Sequence, residues 1–440
     1  MIQLAKHPFG TTGKHKLEVI LIRVFLAVVL MNLLLPLAAA AFAEPVTEDI
    51  AGVKAAEPLL AQPLTTELLA VELAEFDRYF NEQMAEHGIP GAAYAVVYQN
   101  KIISAKGYGV RDIDGDEAVD PFTVFRIASV SKTFAAGLAS LLEERGHFQW
   151  DEPVVQYIPE FSFKNALYNP QLKIEHLLSQ SSGVMPNAYD NLIEANIVPE
   201  RILPQFQKID PLCNPGQCYG YQNVLFSLIE PIISQTTASD YASLLKKNIF
   251  DPLHLPTASV GLEAYLLNEN RASPHIRARG RWHSRNVNQS YYRFAPAAGV
   301  NASVIDLSHW LIAQLGYYPQ VMPQKVLDKI IEKRVRTPRD LRRAQWRNYI
   351  KDAHYALGWR VYQFGSEQLI YHGGWVQGFR AELAYSRERE LGLVILLNAE
   401  SNVVNELTPR FWASMFATLQ QQDKARLAKC TVDTAGKAQC

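Results

Sequence analysis

Residues 125–146 read FRIASVSKTFAAGLASLLEERG. Apolar residues recur there at helical spacing, and Phe134, Leu138, Leu141 and Leu142 make the face such a helix buries. Ser129 opens the helix and Lys132 follows three residues on, so both side chains share one face of the first turn. A helix N-terminus supplies free N–H groups and positive potential at that point. A serine hydroxyl is a poor nucleophile until a base takes its proton. A lysine can be that base if desolvation and cationic neighbours lower its pKa. The bland alternative is an N-cap serine followed by a surface lysine. S-x-x-K alone is a weak signal, since about two are expected by chance in a chain this long. Ser243 and Lys246 form another, inside a helical pattern rather than at its start, and that copy reads as structural.

Ser129 gains weight from its company. Residues 213–226 read CNPGQCYGYQNVLF, in which a Pro215-Gly216 turn precedes Tyr221-Gln222-Asn223 and a helix. A tyrosine hydroxyl can shuttle a proton to a leaving group, and an asparagine can orient a substrate amide. Tyr98-Gln99-Asn100 repeats the tripeptide at a hairpin turn with no helix after it, and reads as a turn. For Tyr221 the alternative is a half-buried core tyrosine. The third element is His372-Gly373-Gly374-Trp375, between two strand patterns. Paired glycines let a substrate backbone approach a strand edge. A backbone N–H there can complete an oxyanion hole with that of Ser129. A plain Gly-Gly turn with a surface histidine is the competing reading.

Outward from these motifs, the 440-residue chain allows two or three domains. With 48% hydrophobic and 20% charged residues it is not a largely disordered chain. Its net charge of −1 lacks the basic excess of a nucleic-acid binder. Residues 1–43 carry a basic start through Arg23, an apolar stretch and small residues ending in Ala41-Phe42-Ala43. That is the pattern of an export signal cleaved after Ala43; an uncleaved anchor is the rival, weakened by Asn32 and Pro36. Export places the protein in the periplasm or secretes it. Residues 44–65 are rich in Ala, Pro and Glu and read as a linker.

Residues 66–87 show helical periodicity that Gly88 stops. Residues 92–98 and 102–108 read as a hairpin. A second strand-rich block covers 355–362, 369–371, 379–385 and 391–397, and an amphipathic helix follows over 404–419. The two blocks join in one antiparallel sheet flanked by helices. The domains are then an α/β sandwich over 66–145 and 345–425, a mostly helical domain over 146–344, and a tail at 426–440. Cys213, Cys218, Cys430 and Cys440 fit an oxidising compartment. Four cysteines allow three connectivities, of which local pairing within each couple is favoured. A zinc site is disfavoured because no histidine lies near either couple.

The order S-x-x-K, Y-x-N, H-x-G resembles the serine β-lactamase and penicillin-binding-protein superfamily, on the class C β-lactamase and D-alanyl-D-alanine carboxypeptidase side. Gly88-Ile89-Pro90-Gly91, the segment 176–183 (HLLSQSSG), Leu253-His254-Leu255, Ala297-Ala298-Gly299 through Asp306, and Leu357-Gly358-Trp359 carry the likeness further. The resemblance implies an α/β (α+β) fold, with a five-stranded antiparallel sheet flanked by helices, an all-helical domain and a site in the cleft between them. It makes Ser129 the acylated nucleophile, Lys132 its activating partner, Tyr221 the shared acid and base, and Asn223 a substrate-amide contact. His372, Gly373 and Gly374 would line the site on their strand, and the N–H groups of Ser129 and Trp375 would hold the oxyanion.

The chain departs from the pattern where most β-lactamases have Lys-Thr-Gly. Here His372 is only partly charged near neutral pH and Gly373 has no hydroxyl, which weakens the grip on a substrate carboxylate. Gln180 replaces a histidine common in the family's version of its segment. Two basic stretches, 271–285 and 325–351, read as solvated surface, with contact to anionic cell-wall polymer or a membrane surface as the functional alternative. The expected function is an exported serine hydrolase without cofactor or metal, acting through an acyl-enzyme. Its substrate would be a small-molecule or peptidoglycan-peptide amide. The rivals are a carboxyl-ester hydrolase on the same site and a non-catalytic penicillin-binding-like sensor.

Overall fold

A computed structural model describes residues 66–429, 431–432 and 438–439. The export signal, the linker and the pairing of Cys430 with Cys440 lie outside these residues. The described residues open with a helix, Thr66–Glu86, stopped at Gly88, whose φ is 56°. Strands Gly91–Tyr98 and Lys101–Gly109 form the expected hairpin, turning at Gln99 with φ 55°.

The hairpin is completed by strands from the far end of the sequence. In spatial order the sheet runs Lys101–Gly109, Gly91–Tyr98, Leu391–Leu397, Phe379–Ser386, Glu367–Val376, Arg360–Phe364, Ile350–Tyr355 and Val335–Arg336. Every neighbouring pair is antiparallel. Tyr94 opposite Ile395 fixes the register of the join between chain ends. Eight strands rather than five arise because two short strands and a third at the edge extend the sheet beyond Glu367–Val376. Val335–Arg336 thus belongs to the sheet, although it lies in the stretch read as helical.

Leu391–Leu397 (LGLVILL) is buried along its whole length. A strand covered on both faces needs no polar alternation. On one face its Leu393, Ile395 and Leu397 join Phe76, Phe80, Phe411 and Trp412 from Thr66–Glu86 and Val404–Lys429. On the other, Val394 and Leu396 join Phe134, Leu138 and Trp310 from Ser131–Glu144 and Val304–Gln314. Phe134 stacks on Trp310 at 4.5 Å, and the Trp310 indole donates to Thr133 Oγ1 at 3.0 Å. Ser131–Glu144 is therefore buried on all sides from Ser131 to Leu142, not on the single face its periodicity suggested. It is wedged between the sheet and the short helices that follow. Val304–Gln314 lies against the sheet as well, so sheet-covering structure extends into 146–344. Among the described residues no helix is long and apolar enough to cross a membrane.

Candidate active site

Ser129 stands just ahead of the central helix. Phe125–Arg126 pairs with Val300–Ala302, and a tight turn, Ala128–Val130, leads into Ser131–Glu144. Ala128 holds φ at 49°, a left-handed conformation that costs an ordinary L residue about 1–2 kcal/mol. The bend leaves Ser129 half-buried at the cavity wall, while Ser131, Lys132 and Thr133 are fully buried. The α-helix proper begins at Ser131, two residues later than the motif suggested.

Lys132 Nζ lies 3.5 Å from Ser129 Oγ, donates to Asn223 Oδ1 at 2.7 Å and to the Ala297 carbonyl at 3.1 Å. It faces the rings of Tyr221 at 4.7 Å and Phe226 at 5.1 Å. Burial pulls its pKa down to about 7; Asp190 opposes the shift and Arg360 adds to it. Tyr221 hydrogen-bonds with Ser129, and burial pushes its phenol far above the ordinary range. Asn223 passes the network on, its amide donating to Asp190 Oδ2 at 2.8 Å. The three motif residues and Asn223 thus meet in one cluster.

Gln180 shapes the loop that carries Tyr221. It holds φ at 56°, its carbonyl takes the Gly220 N–H, and its side chain clamps Gln222 from both sides, accepting the Gln222 N–H at 2.6 Å and donating to its carbonyl at 3.1 Å. Cys213 and Cys218 are disulfide-bonded, which removes both from any zinc set. Within the loop they close, the Gly216 N–H donates to the Ser181 carbonyl. So short a loop restrains little chain entropy. Replacing both cysteines by serine is expected to lower global stability by no more than about 2 kcal/mol, with a larger effect on any reaction that uses Tyr221. Thermal melts beside turnover measurements check this; unchanged turnover with a large melting shift would reverse the assignment of the brace to the loop.

On the opposite wall, Glu367–Val376 passes Ser129 at Gly374. A Cβ there would come within 2.3 Å of the Ile127 carbonyl and 3.2 Å of the Ser129 nitrogen, so only glycine lets strand and turn approach. At Gly373 a Cβ would meet Tyr371 Oη at 2.5 Å. Trp375 is 59% exposed at the mouth, with the Arg380 guanidinium 4.3 Å over its ring.

His372 does not present a titrating imidazole to the cavity. It is buried on the helix side of the strand, with Nε2 bonded to Tyr355 Oη and Nδ1 to the Gly373 carbonyl, each at 2.9 Å. Burial, then the charges of Arg360 and Lys132, hold its pKa well below the ordinary value, so it is neutral at pH 7. Of the three residues expected to line the site on this strand, Gly373 and Gly374 line the cavity, while His372 lies buried beneath it. Ser243 is exposed on a short surface helix, and its Lys246 pairs with Asp251.

A cavity of about 700 Å³ opens on Ser129, Tyr221, Asn223, Gly373, Gly374 and Trp375. Sequence reading missed Asp190, which sits in no motif, and Arg360, buried and paired with Asp340 at 2.7 Å. A lone arginine in the apolar run after Leu357-Gly358-Trp359 was the available signal for Arg360. Much of the second basic stretch is neutralised within the fold: Lys325 meets Glu144, Lys329 meets Glu143, Arg334 meets Glu175, and Arg336 meets Asp352.

The fold and this cluster define a serine β-lactamase and penicillin-binding-protein type of molecule. The chain belongs to the Beta-lactamase family, whose model matches residues 76–414. It is similar to Protein flp of Staphylococcus aureus, 24% identical over 341 residues, which cover 76% of this chain and 64% of that protein. It is similar also to unguisins hydrolase ungD of Aspergillus violaceofuscus, 24% identical over 348 residues, or 74% and 61% of the two chains. The chain thus spans less than two thirds of these relatives. The octameric penicillin-binding protein homologue from Pyrococcus abyssi shares the fold, with a TM-score of 0.69 at 22% identity over 78% of this chain and 77% of that one.

Proposed function

We propose that this protein is an exported serine hydrolase that cleaves an amide, of the D-alanyl peptide or β-lactam class, through an acyl-enzyme on Ser129. The observation that carries this reading is the contact of Ser129 with both Lys132 and Tyr221, where burial brings the lysine to about 7. Near neutral pH a sizeable fraction of Lys132 is then unprotonated. It takes the Ser129 proton as Oγ bonds to the substrate carbonyl carbon. The N–H groups of Ser129 and Trp375 receive the oxyanion. Tyr221, which stays protonated, gives its proton to the leaving nitrogen as the C–N bond breaks, and is reprotonated from Lys132. Water then attacks the ester by the same route in reverse. Asn223 orients the substrate amide. His372 acts from behind, fixing Tyr355 and the strand. An ester enters the same sequence with less need of Tyr221. The non-catalytic reading is disfavoured because Ser129, Lys132 and Tyr221 are all in place.

Intact-mass analysis with a fluorophosphonate and with penicillin tests this. One adduct per chain from each, on Ser129, supports the amide reading. A fluorophosphonate adduct alone shifts the reading to esters, and none from either supports the non-catalytic sensor.

The acid limb of kcat/KM on an uncharged substrate is expected near pH 7, rising with pH because only neutral Lys132 accepts the proton. The Asp190 carboxylate holds that pKa up. Asp190→Asn keeps an acceptor for Asn223 and removes the charge, so the limb should move to lower pH. Profiles from pH 5 to 9 decide it; an unmoved or upward-moving limb excludes Lys132 as the titrating base.

A further inference from the structure

The first basic stretch, 271–285, keeps the charge that the second loses to ion pairs. Within it, His275–Ala278 and Arg281–Ser284 form a two-stranded hairpin that turns at Arg279 and Gly280, with φ of 50° and 80°. Positive φ at both central residues gives the turn that follows the twist of paired strands. Arg277 folds back over the Trp282 ring at 5.8 Å. Arg279, Arg281 and Arg285 are exposed, and among the described residues their side chains have no hydrogen-bond or ion-pair partner.

The base of this hairpin is bound to an acidic loop. His275 is buried there; its Nε2 accepts the Ile113 N–H at 3.0 Å, and its Nδ1 lies 2.8 Å from the Asn398 carbonyl. Ser284 donates to Asp112 Oδ2 at 3.0 Å. Residues 111–117 read RDIDGDE. Glu117 pairs with Arg111 and Asp112 faces His275, but the exposed Asp114 and Asp116 have no cation partner among the described residues. Free acids and free arginines are thus held on neighbouring segments, beyond ion-pair reach of each other.

Apolar side chains gather on the same segments. Of the ten large apolar side chains that the described residues expose, four are Ile113, Phe122, Leu266 and Leu267. The Val124 N–H donates to the Asn270 carbonyl at 2.8 Å, and Arg111 Nη1 to the Glu269 carbonyl at 2.6 Å, which ties 111–124 to 266–275. Exposed apolar groups collected in one place mark an interaction surface. An anionic lipid or polymer would be attracted by the hairpin and repelled by Asp114 and Asp116. A second copy of the chain answers both signs. A two-fold interface sets one patch against itself, so the patch must carry both members of each complementary pair.

We propose that this face is the interface of a two-fold homodimer, in which the basic hairpin of each copy lies against the acidic loop of the other and the four apolar side chains are buried. The proposal stands apart from the Ser129 reading.

Sedimentation velocity on the purified protein, from about 1 to 100 µM, tests it. A monomer–dimer equilibrium is expected, and raising salt from about 0.05 to 0.5 M should weaken it by screening the charges. Arg279→Glu with Arg281→Glu sets like charges face to face and should raise the dimer Kd about a hundredfold or more. Asp114→Lys with Asp116→Lys should do the same. An equimolar mixture of the two variants should recover the dimer, because each then meets its opposite, and so should a chain carrying all four substitutions. These positions are exposed, so every variant should melt with the wild type. A wild type that stays monomeric throughout overturns the proposal. So does a dimer indifferent to both variants, or a mixture that remains monomeric. If a variant fails to fold, the salt series on the wild type decides, and a dimer indifferent to salt overturns the charge pairing. Species larger than a dimer indicate head-to-tail contact and overturn the two-fold arrangement. A monomeric wild type that binds phosphatidylglycerol vesicles assigns the arginines to a lipid surface and overturns the proposal as well.

Discussion

Ser129→Ala should abolish covalent labelling and reduce kcat by about four orders of magnitude or more, as removal of a nucleophile does in hydrolases that depend on one. The same variant should melt within about 0.5 kcal/mol of the wild type, because Ser129 is half-buried and caps no helix. Loss of activity without loss of stability separates a chemical role from a structural one. Kinetics and melting curves on the same preparation check both halves. A label that persists, or that maps to Ser243, removes Ser129 from the mechanism.

Tyr221→Phe should lower amide turnover by about two to four orders of magnitude, the range for a lost general acid. The ring stays over Lys132, so the lysine keeps its surroundings and the acid limb near pH 7 should remain. Fluorophosphonate labelling should suffer far less, since fluoride leaves without a proton and an amide nitrogen does not. The comparison of amide hydrolysis with labelling rate therefore locates the step. Equal losses in both would place Tyr221 at the first proton transfer, in place of Lys132.

The helix after Ser129 and the hairpin were legible because periodicity and turn chemistry are local signals; the join between chain ends followed only from the presence of two strand-rich blocks, and its register lay in no local pattern. The strand Leu391–Leu397 was legible as a short apolar run bounded by polar residues. Val335–Arg336 was not, because two residues carry no period; their pairing with Ile350–Tyr355 is set by the neighbouring strand. Among site residues, Ser129, Lys132, Tyr221 and Asn223 stood at recognisable spacing. Asp190 acts through Asn223, a contact between segments 33 residues apart that no pattern encodes. The burial of His372 was not legible for a related reason. Sequence places it on the strand, but which face it takes follows from register, and one face is the interior. Arg126 stands three residues before Ser129, yet nothing in a sequence says that its guanidinium will be buried against the ring of Tyr292.

The contact between Tyr371 Oη and position 373 bears on how this site could change over generations. A threonine there would restore the hydroxyl of the Lys-Thr-Gly pattern, but its first carbon would fall on Tyr371 Oη. The Tyr371 hydroxyl must therefore move aside. That hydroxyl donates to the buried Glu382 at 2.8 Å and accepts from Arg343 at 3.3 Å, so moving it disturbs the partners of a buried acid. A hydroxyl at position 373 therefore comes at the expense of the Tyr371–Glu382–Arg343 contacts beneath the strand, which couples the residue facing the cavity to the packing behind it.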